Sequence, residues 1–192
     1  MGALDHPELL RRHRLTVDRF HRMGEAGVIG PEVRVELVEG EVVEMAPIGT
    51  RHAATLNRLN RLITAAAGEH AVVAVQNPLR LGDHSEPQPD LMLLAPREDF
   101  YASAHPGPAD VLLLVEVCDT TSRYDREVKV PLYARHGVAE VWLVDLDERL
   151  VHVLREPRDG RYTQITVSAT PGVVAPAALP QAAVDLTPLL AA

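Results

Sequence analysis

Apolar and polar positions divide the chain into helix-like and strand-like stretches. "TRHAATLNRLNRLITAAAG" (50–68) carries Leu56, Leu59 and Ile63 at spacings of three and four, which predicts an amphipathic helix ending at Gly68. "TVDRFHRMGEAGVI" (16–29) predicts a shorter helix, capped by Thr16 and ended by Gly24 and Gly27. Between them "VRVELVEGEVVEM" (33–45) alternates on either side of Glu39-Gly40, a hairpin pattern. Short apolar runs at 71–75, 89–95, 110–117 and 138–146 read as buried strands. Stretches 149–156 and 161–167 pair across "PRDG". A helix follows Asp125 and stops at Gly137, with Pro131 inside it, where a proline removes a hydrogen bond and costs ~3 kcal/mol unless the helix starts later or kinks.

Strands on both sides of a crossover helix imply one α/β (α+β) domain, a central mixed sheet flanked by helices with an N-terminal hairpin. The core is expected over about 16–167 of the single domain 1–192, with 168–192 as an Ala- and Pro-rich tail. A chain of 192 residues, 46% hydrophobic and 24% charged, is long enough to bury a sizeable core. Its lone cysteine, Cys118, excludes an internal disulfide and a cysteine-rich zinc site. No apolar run approaches the roughly 20 residues of a membrane helix, and a cytoplasmic location is expected. The formal net charge of −8 means that any nucleic acid must meet a local basic patch.

Glu116 interrupts the apolar run "LLLVEV". Either it lies near the strand end and faces water, or its carboxylate is protonated, paired or bound to a cation, because burying it alone costs several kcal/mol. Asp90, straight after Pro89, opens another apolar strand. If the two strands are neighbours, the acids can converge on one hard cation, Mg²⁺ or Mn²⁺. Lys129, on the following helical segment, could return to the acids and steady charge on a phosphate, or be a solvated surface lysine. Asp125 is expected to cap that helix, Glu86 to face solvent rather than replace Asp90 as a ligand, and Cys118 and Trp142 to fill core.

Pro89-Asp90 followed by "VEVC" resembles the PD-(D/E)xK motif of restriction-endonuclease-like nucleases. "VEVCDTTSRYDREVKVPLYARHGVAEVWLVDL" and "VELVEGEVVEMAPIGTRHAATLNRL" resemble the Uma-two family of that superfamily, from about Thr16 to about Val167. The resemblance implies a restriction-endonuclease-like fold and divalent-metal-dependent hydrolysis of nucleic-acid phosphodiester bonds. It matches Asp90 and Glu116 to metal-binding acids, Glu36 to an acid on the front hairpin and His52 to a histidine early in the next helix. Two residues beyond Glu116 stands Cys118 rather than the superfamily's lysine; Lys129 matches the displaced lysine of the Uma-two pattern.

Glu36 is also readable as the polar member of an alternating strand, His52 as a first-turn surface histidine, and Gln88 as a hydrogen-bonding group near the site or a loop filler. Arg51, Arg58 and Arg61 share roughly one helix face and offer a phosphate-contacting stripe or a solvated face. "RRHR" (11–14) adds a second basic cluster. Binding through such patches falls as salt rises. The expected activity is a Mg²⁺- or Mn²⁺-dependent endonuclease acting on DNA, a homodimer being plausible. The alternatives are an inactive module of the same fold that binds nucleic acid or a protein partner, and hydrolysis of another phosphoester. No GxxxxGK[ST], HExxH or GxSxG motif is present, which removes P-loop triphosphatase, zinc-protease and esterase readings.

Overall fold

The computed structural model describes residues 13–119 and 122–190. Helix α1 (Val17–Glu25) starts at Thr16, whose hydroxyl accepts from the Arg19 amide, and it continues through Gly24 instead of ending there. The hairpin β1 (Val35–Val38) and β2 (Glu41–Glu44) turns at Glu39 and Gly40, with φ of 50° and 84°. Two positive φ values in a two-residue loop match the right-handed twist of the strands. A side chain at position 40 would also meet Arg14, whose Cβ lies 2.6 Å from where one would begin. Leu37 pairs with Glu86 in an isolated bridge, which docks the hairpin on the loop ahead of β4.

Helix α2 (Thr50–Ala67) ends at Gly68 as its periodicity predicts. A six-stranded sheet follows in the order β3-β4-β5-β6-β7-β8. Its strands are β3 (Val72–Val75), β4 (Leu91–Leu94), β5 (Val111–Cys118), β6 (Glu140–Asp145), β7 (Leu150–Arg158) and β8 (Arg161–Ser168). Only β5 and β6 pair in parallel; the other neighbours are antiparallel, so the sheet is mixed as expected. The β7–β8 turn is Asp159-Gly160, at φ 49° and 75°, which leaves Pro157 and Arg158 in the strand pairing.

The crossover from β5 to β6 holds α3 (Ser122–Tyr124), a π-helical turn (Asp125–Lys129) and α4 (Val130–Arg135). The Val130 N–H donates to Asp125 O, five residues back. The widened turn lies directly before Pro131, which has no N–H and whose ring would crowd the carbonyl four residues earlier. The proline is thus absorbed without a break. The helix begins ahead of Asp125, so that residue is no N-cap; it is buried at 5% exposure.

Alternation along the strands sends their side chains to two cores. Leu91, Leu93, Leu113, Val115, Val117 and Trp142 pack under α2. Met92, Leu114, Cys118, Val141, Leu143 and Leu154 face Leu132 and Tyr133 of α4. Each such aliphatic side chain contributes about 1.5–3 kcal/mol by leaving water. Residues beyond β8 join the α2 side. β9 (Val173–Val174) pairs with β10 (Val184–Asp185), α5 (Thr187–Leu190) follows, and Leu179, Ala182, Leu186 and Leu189 are buried.

Glu140 ties this segment down. It is 2% exposed and accepts from Trp142 Nε1 (2.6 Å), Arg155 (2.8 Å) and the Ala177 amide (2.7 Å). Glu140→Ala takes one acceptor from the partly buried Arg155 guanidinium and leaves two N–H donors without theirs, and is expected to cost about 3 kcal/mol in urea unfolding. A loss below about 1 kcal/mol would mean the segment is held by its apolar contacts alone.

Candidate active site

Leu114 and Cys118 both face α4, so strand alternation puts Glu116 on that same face. There the helix presents Lys129 and Tyr133, four residues apart and therefore on one side. Lys129 Nζ lies 3.2 Å from Glu116 Oε1 and 3.3 Å from Glu36 Oε2. Tyr133 OH donates to Glu116 Oε1 at 2.6 Å. Glu116 does not reach solvent; it is 2% exposed, and Lys129 5%.

The pairing of Leu91 with Val115 carries Asp90 to the neighbourhood of Glu116. The Asp90 amide donates to Glu116 Oε2 at 3.2 Å, and Asp90 Oδ2 accepts from the Val117 amide at 2.9 Å. Asp90 Oδ1 lies 2.9 Å from His52 Nε2 and accepts from Gln76 Nε2 at 3.3 Å. Glu36, 1% exposed on β1, accepts from the Gln88 amide (3.0 Å) and from Tyr124 OH (3.3 Å). Strand, hairpin, α2 and crossover helix thus bring Asp90, Glu116, Lys129, Glu36 and His52 to one cavity of about 370 Å³.

The charges in this cavity do not balance. Lys129 is the cation among Glu116, Glu36, Asp90 and Asp125. Burial works to lower its pKa, but Glu116 and Glu36 outweigh that and hold it above the usual lysine range. Glu116, almost completely buried, yields instead. Burial pushes it up to about 8 despite the opposing pull of Lys129, and the charge of Asp90 adds to the rise. Burial would raise Asp90 as well, but the His52 hydrogen bond, its charge and the Val117 amide hold it below the usual range. The same hydrogen bond raises the pKa of His52.

The donor set facing the cavity is carboxylate oxygen, which suits a hard divalent ion with much of its water retained. Glu116 is a group that such an ion would ionise. Asp90 and Glu116, with Glu36 behind Lys129, are the residues that fit. A tighter three-residue group lies elsewhere: His21, Glu86 and His105 hold ligand atoms within 4.8 Å of one another and could coordinate a divalent metal. Glu86 was expected to face solvent, but the Leu37 bridge draws its backbone inward and it is 3% exposed.

Several residues in or beside the site carry little sequence signal. Tyr133 could have been found as the residue one helical turn from Lys129. Tyr124 and Asp125 are obscured because the π turn breaks the 3.6-residue period. Gln76, at φ 53°, is strained backbone next to the acids, set by the turn after β3. Cys118 is fully buried, and burial together with Asp125 pushes its thiol far above the range of a nucleophile.

The basic stripe is partly engaged within the protein. Arg51 lines a separate hollow with Arg58 and Leu146, and contacts Asp119 (3.5 Å), Asp147 (3.0 Å) and the Leu146 carbonyl. Arg58 donates to the Pro188 carbonyl, and Arg61 is exposed. Arg11 and Arg12 of the second cluster lie outside the described residues.

Residues 17–187 match the family model Uma2, described as "Putative restriction endonuclease". A solved structure from Anabaena variabilis, described as "a putative nuclease belonging to DUF820", matches with a TM-score of 0.69. It covers 92% of this chain and 98% of that one at 19% identity, a likeness that speaks to the fold alone. No curated protein sequence matches the chain. No helix among the described residues is long and apolar enough to cross a membrane.

Proposed function

The chain belongs to the Uma2 family and has a restriction-endonuclease-like fold, and on that premise we propose that it is a divalent-metal-dependent endonuclease acting on DNA. The observation that carries this reading is the burial of Glu116 beside Asp90 and Lys129 in one cavity. Asp90 and Glu116 hold Mg²⁺ or Mn²⁺. When bound, the ion supplies Lewis acidity to the scissile phosphate and to the attacking water. His52 keeps Asp90 ionised and fixes the orientation of its carboxylate. Lys129 offers a fixed ammonium to the charge that grows on the phosphate, and Glu36 holds Lys129 in place with help from Tyr124. Arg51, Arg58 and Arg61 along α2 contact backbone phosphates, Arg51 and Arg58 exchanging internal partners for them.

The experiment is incubation of the purified chain with plasmid and with single-stranded DNA plus Mg²⁺ or Mn²⁺. The expected result is cleavage that disappears in Asp90→Ala. Cleavage persisting in that variant would indicate a contaminant, and the absence of both cleavage and calorimetric metal binding would favour an inactive module of the same fold.

The raised pKa of Glu116 gives the pH dependence a sign. Below about pH 8 the group carries a proton that the ion must displace. Metal affinity should therefore rise with pH, by about tenfold per unit at most, and level off above that point. Calorimetry at pH 7 in two buffers of different ionisation heat should show about one proton released per ion. Affinity independent of pH between 6 and 8 would mean that Glu116 is already ionised.

A further inference from the structure

We propose that His21, Glu86 and His105 form a second metal site, of the zinc class, separate from the acidic cavity. His21 comes from α1, Glu86 from the loop between β3 and β4, and His105 from the loop between β4 and β5. Their ligand atoms lie within 4.8 Å of one another. The two imidazole rings stand nearly perpendicular, at 78°, with centroids 6.1 Å apart. Two nitrogens and one carboxylate oxygen suit Zn²⁺ and its neighbours in the transition series, whereas Mg²⁺ takes oxygen ligands.

A second observation points to a ligand. Glu86 is 3% exposed, and its Oε2 is buried with no hydrogen-bond partner. Its Oε1 lies 2.5 Å from His21 Nε2. A buried carboxylate oxygen left unpaired is costly, and the group that would satisfy it is a cation. The ligands of a tetrahedral zinc ion lie about 3.3 Å apart, so the His21–Glu86 contact has to open by under about 1 Å on binding. His105 is exposed and His21 half-exposed, which gives an ion a path from solvent. Phe20, Ile29 and Val35 form the apolar wall of the adjoining hollow.

An ion here would cross-link three chain segments that now share few bonds: Val17 N to Asp83 O (2.8 Å), Arg80 N to Pro106 O (3.0 Å) and Arg80 to Asp18 (3.0 Å). It would also steady the loop that ends at Asp90 and bridges to Leu37, beside Glu36. The site stands independently of the nuclease reading, since it shares no residue with the acidic cavity.

The test is cobalt titration of the metal-stripped full chain, followed by visible absorption, with Zn²⁺ competition and thermal melts. The wild type should bind one equivalent with the intense bands of a low-coordinate nitrogen–oxygen site, and Zn²⁺ should displace the cobalt and raise Tm. His105→Ala and His21→Asn should each weaken binding by about 100-fold or more and abolish the zinc-dependent rise in Tm, with the metal-free Tm of His105→Ala unchanged. Glu116→Gln should leave the bands intact, which separates this site from the acidic one. Bands of equal strength in the wild type and both histidine variants, or no cobalt uptake by the wild type, would overturn the proposal.

Discussion

Glu116→Gln lowers DNA cleavage by about 10³-fold or more while the protein keeps its fold. The amide has nearly the size of the carboxylic acid and can still accept from Tyr133, so packing changes little. What disappears is the ability to become an anion on meeting an ion. The stability comparison has a definite sign. The folded pKa of about 8 lies above the ordinary carboxylate value. The native state therefore holds a proton that the unfolded chain releases, and wild-type stability from this group falls as pH climbs from about 4.5 to about 8. Gln carries no such proton. The difference in unfolding free energy between variant and wild type should thus move in favour of the variant over that window, as read by urea titrations at pH 5 and pH 8. A variant that cleaves within tenfold of wild type would remove Glu116 from the reaction.

Lys129→Ala is expected to cost about 3–5 kcal/mol of stability. The ammonium is 3.2 Å from Glu116 and 3.3 Å from Glu36, all three side chains being nearly sealed from water. Without it, the buried Glu36 loses the ammonium that pairs with it, in a cavity that also holds Asp90 and Glu116. Two further results separate charge from packing. Lys129→Met, which keeps the volume but not the charge, should lose nearly as much. Millimolar Mg²⁺ should restore part of the loss, because a cation returns to the acids. An unfolding midpoint of Lys129→Ala equal to wild type would show that the acids are already neutral without their partner. Cleavage should fall in both variants, as measured on supercoiled plasmid.

The elements whose pattern is local were legible in the sequence. The 3.6-residue stripe of α2, the alternation about Glu39-Gly40 and the apolar strands all match the folded chain. Glu116 stood out because a charge in such a run needs a reason, and alternation with Leu114 and Cys118 predicts its face once α4 is known to cover it. Other features depend on distant partners. Glu86 is flanked by polar residues and prolines, and only the pairing with Leu37 buries it. The segment after β8 has no sustained period; its isolated Leu179, Val184, Leu186 and Leu189 find their places on α2, and Glu140 anchors its backbone. The arginines of α2 read as one stripe, yet Arg51 meets Asp119, Asp147 and the Leu146 carbonyl, and Arg58 the Pro188 carbonyl near the far end of the chain. Asp125 was misplaced because the helix begins ahead of it, at Ser122.

The central claim is that Asp90 and Glu116 share one divalent ion. It is tested most directly by anomalous diffraction from crystals soaked in Mn²⁺ above pH 8. The account predicts a single strong peak in the cavity, about 2.0–2.2 Å from one oxygen of each carboxylate, with Lys129 still against Glu116. A cavity without a peak, or a peak held by other residues while these two carboxylates keep their present partners, would contradict it.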